Sequence, residues 1–382
     1  MKISLFTILL LTTSLSFGQK KTKLSDEEQF KLYVSGNTNS FTFDGQKPVG
    51  RGWTILDSLF AENQFVCWGE YHNSPVVSKL TTYALEGASK YGFKTWCVET
   101  SPFVASELMR ISKMPSPFDA ILNISKYHSN HATIPFFQTK EDAEMLSTAN
   151  KLNYKIWGID QEFQMAFPYC IEQVYSKQST NIQKKYKTVV DSLKARWWFP
   201  DEDLLDSLKK GISQQNLQTA LDDIKISEVI YYNAYTYKGN NLRATLMKKN
   251  FYNYFDNLKS LNEKVFFKMG SNHLAKGINL ESRQYDIGNS LFELTQRNKT
   301  KFANVYLIPR YSEEDGKIID EMDNPNKDYS KELLSLYNKE KWIVLDLRPL
   351  RYKIRYDQTL TLETYQTIEK YDFVAISPEV RK

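Results

Sequence analysis

The sequence predicts an α/β fold: a central, largely parallel sheet flanked by helices, with a helical insertion over about residues 164–261. Three observations carry that expectation. Strand-like runs at 64–68, 95–98 and 155–159 alternate with segments whose apolar residues recur at helical spacing. The segments joining these runs are long enough for the crossovers that parallel neighbours need. The runs also stop in a shared way, at glycines or acid–base residues: Gly69-Glu70, Glu99, Gly158 followed by Asp160, and Gly270 followed by His273. In open α/β sheets, ligands bind beyond the carboxyl ends of the strands.

Taken in order, residues 1–18 do not read as fold. Lys2 is a basic start, Ile3 to Phe17 is an apolar run interrupted by Thr and Ser, and Ser16-Phe17-Gly18 supplies small residues for cleavage before Gln19. That is the pattern of a secretory signal peptide, and it predicts a periplasmic or secreted protein. The run is too short and hydroxyl-rich for a membrane span. No cysteine follows it to support lipoprotein processing. Residues 19–382 are then expected to form one α/β domain carrying the insertion, a size that a single large domain permits.

Residues 19–40 are polar and read as a flexible lead-in, and Trp53 to Phe60 as a short helix. Gln64 to Trp68 is the first core strand. Ser74-Pro75 opens a helix, Ser as N-cap and Pro in the first turn. Val77, Leu80, Ala84, Ala88 and Tyr91 continue it until Gly92. Thr95 to Val98 is the second strand, so Val66 and Val98 are expected on adjacent parallel strands. Thr139-x-x-Asp142 has the form of a capping box before the helix Glu141 to Leu152, and the strand Lys155 to Ile159 follows. Helical runs such as 203–210 and 241–261 fill the insertion. Strand-like runs return at 264–269, 303–308, 342–347 and 373–376, with Asp320 to Tyr329 as a polar surface loop.

The formal charge is +5 and no block of like charges stands out, which argues against nucleic acid as a partner. Cys67, Cys97 and Cys170 have neither CxxC nor zinc spacing. Cys67 and Cys97 fall in core strands, where free Cys acts as a small apolar residue; an exported location would also permit a disulfide between them. The 24 Tyr and 22 Phe suit core packing first and ligand pockets second.

The chain holds only 4 histidines, and two of them follow strand ends. Glu70 and His72, two apart in extended chain, present their side chains on one face. A carboxylate beside an imidazole orients it and raises its basicity. Glu99 is expected on the neighbouring strand, and His273 offers a second acid–base or orienting group. Arg243, Met247 and Asn250 lie on one helix face; Arg243 either holds a carboxylate or developing oxyanion or snorkels from a packing face. His128 and His131 lie in a loop that is either polar surface or ligand-contacting. There is no GxSxG elbow, HExxH, Walker A or GxGxxG motif. A metal is not demanded by any spacing, although Glu70, His72, Glu99 and His273 are ligand types.

At these residues the chain resembles the erythromycin esterase-like family. Gly69-Glu70-Tyr71-His72 resembles the family's Gly-Glu-x-(Thr)-His element, without the usual Thr and with Asn73-Ser74 after it. Cys97-Val98-Glu99, Gly158-Ile159-Asp160, the helix bearing Arg243, Met247 and Asn250, and Asn272-His273 match its later elements in order over about residues 60–376. The shortened first motif and Met269-Gly270-Ser271-Asn272-His273-Leu274 are also similar to the Gly-x-x-His motifs of the wider TraB/GumN (Tiki-like) and ChaN-like proteins. The resemblance implies hydrolysis of esters, metal-dependent peptidase activity, or haem or iron binding, depending on the relative. The resulting expectation is a hydrolase of carboxylic esters or related bonds acting on a small-molecule substrate. Glu70, His72, Glu99 and His273 are its catalytic residues, and Arg243, Asp160 and Asn272 bind substrate. No cofactor is required, with a divalent metal left open. The alternatives are a metal-dependent hydrolase using the same residues, and a secreted protein that binds haem or a glycan without turning it over.

Overall fold

The computed structural model describes residues 25–378 apart from 46, 128–132, 196–198, 259, 280, 315–316, 324–330 and 355–359. The leader at 1–18, His128, His131 and Asn324-Pro325-Asn326 lie outside the described residues.

In chain order the strands are β1 (Thr38–Asp44), β2 (Lys47–Val49), β3 (Phe65–Glu70), β4 (Thr95–Val98), β5 (Lys155–Gly158), β6 (Val265–Gly270), β7 (Phe302–Ile308), β8 (Tyr311–Glu314), β9 (Lys317–Asp320), β10 (Trp342–Asp346) and β11 (Phe373–Ile376). Nine of them form one sheet in the order β2-β1-β10-β11-β7-β3-β6-β4-β5, while β8 and β9 pair separately. From β11 to β5 all neighbours are parallel, and β10, β1 and β2 add an antiparallel edge. The mixed α/β sheet with flanking helices is the expected fold class.

The sheet is covered on both faces, which is why its central strands read as unbroken apolar runs. Alternate residues serve opposite faces. Val66, Trp68, Trp96, Val98 and Phe266 pack into one core with the helix Pro75–Lys90. Phe65, Cys67, Cys97, Phe267 and Met269 pack into another with Met247, Phe251 and Phe255 of the helix Tyr237–Phe255. Each of the large side chains contributes roughly 2–3 kcal/mol by burial.

The local signals behave as their chemistry requires. The Thr139 hydroxyl accepts from the Asp142 amide and Asp142 returns the bond, closing the capping box of the helix Lys140–Lys151. Pro75 opens the helix Pro75–Lys90, with Ser74 at the N-cap position but making no side-chain capping bond, and Gly92 follows its end with a φ of +88°. Between β5 and β6 the chain forms the helices Phe167–Tyr175, Thr180–Ala195, Glu202–Lys210, Gln215–Tyr232 and Tyr237–Phe255.

Two expectations are corrected. First, β3 and β4 are not neighbours: β6 lies between them, paired in parallel with both. Local periodicity marks strands but carries no information on which distant strand enters the gap. Second, residues 19–40 are not wholly a lead-in. Ser25 and Glu28 form a capping box on the helix Asp26–Val34, and β1 follows at the sheet edge. The reading of Cys67 and Cys97 as small apolar core residues holds, and the disulfide alternative does not: both are free and buried. Both sit level with Phe267 on the intervening β6. Two strand spacings put their Cα atoms roughly 9–10 Å apart, beyond the reach of a disulfide.

Candidate active site

The parallel strands β3, β6, β4 and β5 end together, and their ends carry the acid–base residues. Glu70 closes β3, Glu99 follows β4, Asp160 follows β5, and His273 sits in the short helix Ser271–Leu274 after β6. Arg243 comes from the helix Tyr237–Phe255. Glu70, Glu99 and Asp160 are each 4% exposed or less, so their charges must be met locally.

Glu99 is the hub. Its Oε2 accepts the Gly270 amide at 2.5 Å and lies 3.3 Å from His72 Nε2. Its Oε1 accepts from Arg243 Nη2 at 2.9 Å and lies 3.3 Å from His273 Nε2. His72 Nδ1 is 3.3 Å from Glu70 Oε1, and the buried Lys268 of β6 donates to that same oxygen at 2.6 Å. His273 Nδ1 is 2.7 Å from Asp286, the residue that caps the helix Ile287–Asn298. Arg243 grips Asp160 with two nitrogens, Nε at 2.9 Å and Nη2 at 2.5 Å. Asn250, two turns along that helix, donates to the Ile159 carbonyl at 3.0 Å and fixes the helix against the β5 end.

The glycines at the strand ends have separate jobs. A Cβ at Gly158 would lie 2.1 Å from the Ser101 carbonyl oxygen, and one at Gly69 would lie 2.8 Å from Ser271 Cα. Both let backbone pack on backbone. A Cβ at Gly270 would instead come within 3.0 Å of His72 Nε2 and of Glu99 Oε2, so its absence leaves room between the acid–base groups.

Electrostatics follow from this arrangement. Burial alone would strip His72 of its proton, but attraction to Glu99 and bonds to Glu70 and Glu99 outweigh it and push its pKa up to about 9. Burial acts on His273 in the same sense, and Asp286 and Glu99 overcome it, with Arg243 opposing, to reach about 10. Burial would raise Glu99, yet the two histidines hold it well below the ordinary carboxylate range. Glu70 is likewise lowered against burial by Lys268 and His72. Arg243 is raised against burial by Asp160 and Glu99. Behind Asp160, the buried Glu162 is pushed up to about 8 by burial and by Asp223, against a bond from Ser101, so it is uncharged at neutral pH.

An aromatic corner borders the polar cluster. The Phe136 ring stacks on His72, centroids 3.8 Å apart and planes 18° off parallel. Phe163 meets Phe136 edge-on at 5.3 Å, and the Arg243 guanidinium lies 5.7 Å from the Phe163 ring centre. Phe136 has a φ of +63°, rare for a bulky side chain and costing about 1 kcal/mol or more. Its neighbours impose it: Phe137 is buried against Trp96, and the amides of Gln138 and Thr139 are both held by Asp142.

Of the residues expected at the site, Glu70, His72, Glu99, Asp160, Arg243 and His273 come together in one network. Asn272 does not join it; its side-chain amide donates to Glu281 at the surface. Glu99 reaches the network from the strand beyond β6, not from the strand next to β3. Lys268, Asp286, Phe136 and Phe163 were not singled out from the sequence. Lys268 had a readable signal, a lone cation inside an apolar strand run. Asp286 had a weaker one, an N-cap type before a helix.

A divalent metal can be tested against this donor set. Glu99, Asp160 and His273 offer ligand atoms within 4.8 Å of one another. However, Arg243 already bonds both carboxylates, and its guanidinium supplies the positive charge there. A cation at that point would have to displace the arginine, so the residues as arranged do not fit one.

No family model matches the chain, and no curated protein matches it. Solved structures match by shape. An erythromycin esterase mutant, EreC, in its open conformation aligns over 90% of this chain and 98% of its own, with TM-score 0.55 and 12% identity. A Bacillus cereus protein aligns over 93% and 98%, with TM-score 0.54 and 12% identity. A succinoglycan biosynthesis protein aligns over 92% and 97%, with TM-score 0.56 and 14% identity. The chain therefore has an erythromycin esterase-like fold; at these identities the likeness is one of fold.

Proposed function

We propose that the protein is an exported hydrolase of carboxylic esters or related bonds, working through water activated by histidine and without a serine nucleophile. The observation that carries this reading is the Glu99 hub, one ionised carboxylate bridging two imidazoles at the carboxyl edge of the sheet. A site that only binds has no need of two acid–base groups coupled through one buried charge.

In this mechanism neutral His72 takes a proton from water as the water oxygen attacks the carbonyl carbon. The carbonyl electron pair moves to oxygen, and the resulting anion is met by the His273 imidazolium and Arg243. Arg243 spends Nε and Nη2 on Asp160 and Glu99, and its Nη1 makes no bond among the described residues. When the tetrahedral intermediate collapses, His72 returns the proton to the departing alkoxide.

His72 holds its proton up to about pH 9 and His273 up to about pH 10. Activity through neutral His72 therefore rises as the pH climbs toward 9. It falls again above 10, where His273 loses the charge that meets the oxyanion. A panel of esters, lactones and peptides, assayed for kcat/KM against pH, tests this. An alkaline bell lost in His72→Ala supports the reading; a profile flat from pH 6 to 10, or no hydrolysis of any panel member beside a ligand that binds unchanged, ends it. Export rests on the pattern of residues 1–18, and a mature chain that begins at Met1 instead of near Gln19 would remove it.

A further inference from the structure

We propose that Phe136, backed by the buried Phe163, forms an apolar subsite beside His72 that takes an uncharged aromatic or alicyclic group of the ligand. This deepens the hydrolase reading by naming the class of substrate, and rests on that reading only for what happens after binding.

Two independent observations support it. The first is shape. The two rings stand at 89° to one another and make a corner. Phe136 is half-buried and has one face on the His72 imidazole, while Phe163 is buried against Phe136 and the Arg243 guanidinium. Phe136 is held there in a backbone conformation that a bulky residue avoids. Its neighbours Ile134 and Phe137 are buried and the following amides are bonded to Asp142. A rigid aromatic placed against a polar cluster gives a ligand apolar contact area at small entropic cost.

The second observation is charge. Four cations stand at the site, His72, His273, Arg243 and Lys268. Each already has a carboxylate within 3.3 Å: Glu70 or Glu99 for His72, Glu99 or Asp286 for His273, Asp160 and Glu99 for Arg243, and Glu70 for Lys268. Arg243 Nη1 alone makes no bond among the described residues, enough for one developing oxyanion, and a further anionic group on the ligand would meet four carboxylates along with the cations. A neutral group meets no such penalty, and the aromatic corner rewards one that is apolar.

The test uses benzamide, acetamide and benzoate as probes and needs no turnover. Diethyl pyrocarbonate acylates neutral imidazole nitrogen, and peptide mass spectrometry reads its rate at His72 at one fixed pH. Benzamide at millimolar concentration should slow the modification of His72 several-fold, while acetamide and benzoate leave it unchanged. In Phe136→Ala the benzamide effect should vanish; in Phe136→Leu part of it should return. Protection by acetamide or benzoate equal to that by benzamide overturns the subsite, as does benzamide protection that survives Phe136→Ala. If Phe136→Ala does not fold, the three-probe contrast on the unaltered protein decides alone. Hydrolysis of 4-nitrophenyl benzoate and 4-nitrophenyl acetate is read on the same preparation. Benzamide protection without turnover of these esters or of any member of the ester, lactone and peptide panel keeps the subsite and ends the hydrolase reading. Turnover without benzamide protection does the reverse.

Discussion

His72 and His273 stand on opposite sides of one carboxylate and are held differently. His72 touches Glu70 and Glu99 at 3.3 Å each and leaves 27% of its side chain exposed. His273 is 12% exposed and is anchored to Asp286 at 2.7 Å. Charge-assisted bonds lie at about 2.7–2.9 Å, so His273 has one full-strength tether and His72 has two slack ones. Equal chemistry with unequal tethering divides the work. The slack imidazole beside the gap left by Gly270 is the one that can trade a proton with a small molecule. The tethered one is a fixed positive charge.

The most damaging test strikes what the two histidines share. Glu99→Gln removes the charge that raises both, and hydrolytic activity should drop by about two to four powers of ten. A loss below tenfold would mean that the hub is structural only. Next comes stability. His273→Ala strips the buried Asp286 of its cation and should cost about 3 kcal/mol in urea unfolding. His72→Ala should cost about 1 kcal/mol or less, since its contacts are long and partly in water. Equal costs would erase the distinction drawn here. The finest test separates the two histidines by pH. Asp286→Asn withdraws the leading attraction on His273, so the limb near pH 10 should move to lower pH while the limb near 9 stays closer to its place. Movement of the lower limb alone would reverse the assignment. The stability of the folded protein carries the same sign. Both histidines bind protons more tightly folded than the ordinary value of 6.5. Their contribution is thus whole below about pH 6.5 and is lost as the pH rises through 9 and 10.

Legibility in the sequence follows the same line between local and distant. β3 to β7, β10 and β11 could be read because each is a short apolar run bounded by turn residues. The Thr139–Asp142 box could be read because its chemistry is contained in four residues. Glu70, His72, Glu99, Asp160, Arg243 and His273 were legible as strand-end or helix-face residues and from the family resemblance. The partners that decide how they behave were not. Lys268 meets Glu70 only because β6 enters beside β3. Asp286 meets His273 only through the chain that folds back after residue 274. Phe136 stacks on His72 because Phe137 and Asp142 pin its neighbours, a constraint no periodicity records.

The place of β6 has a consequence for how the molecule comes into being. Lys268 and Glu70 are 198 positions apart in the chain yet share a buried bond. A ribosome has emitted β3, β4, β5 and every helix of the insertion before it emits the strand that joins β3 to β4. Until then the hub carboxylate lacks the Gly270 amide, and two apolar strands keep open flanks able to pair with another chain. No fragment that ends before Val265 can contain the site. The last of these strands to be made is the one that brings Glu70 of β3 and the hub carboxylate after β4 into one site.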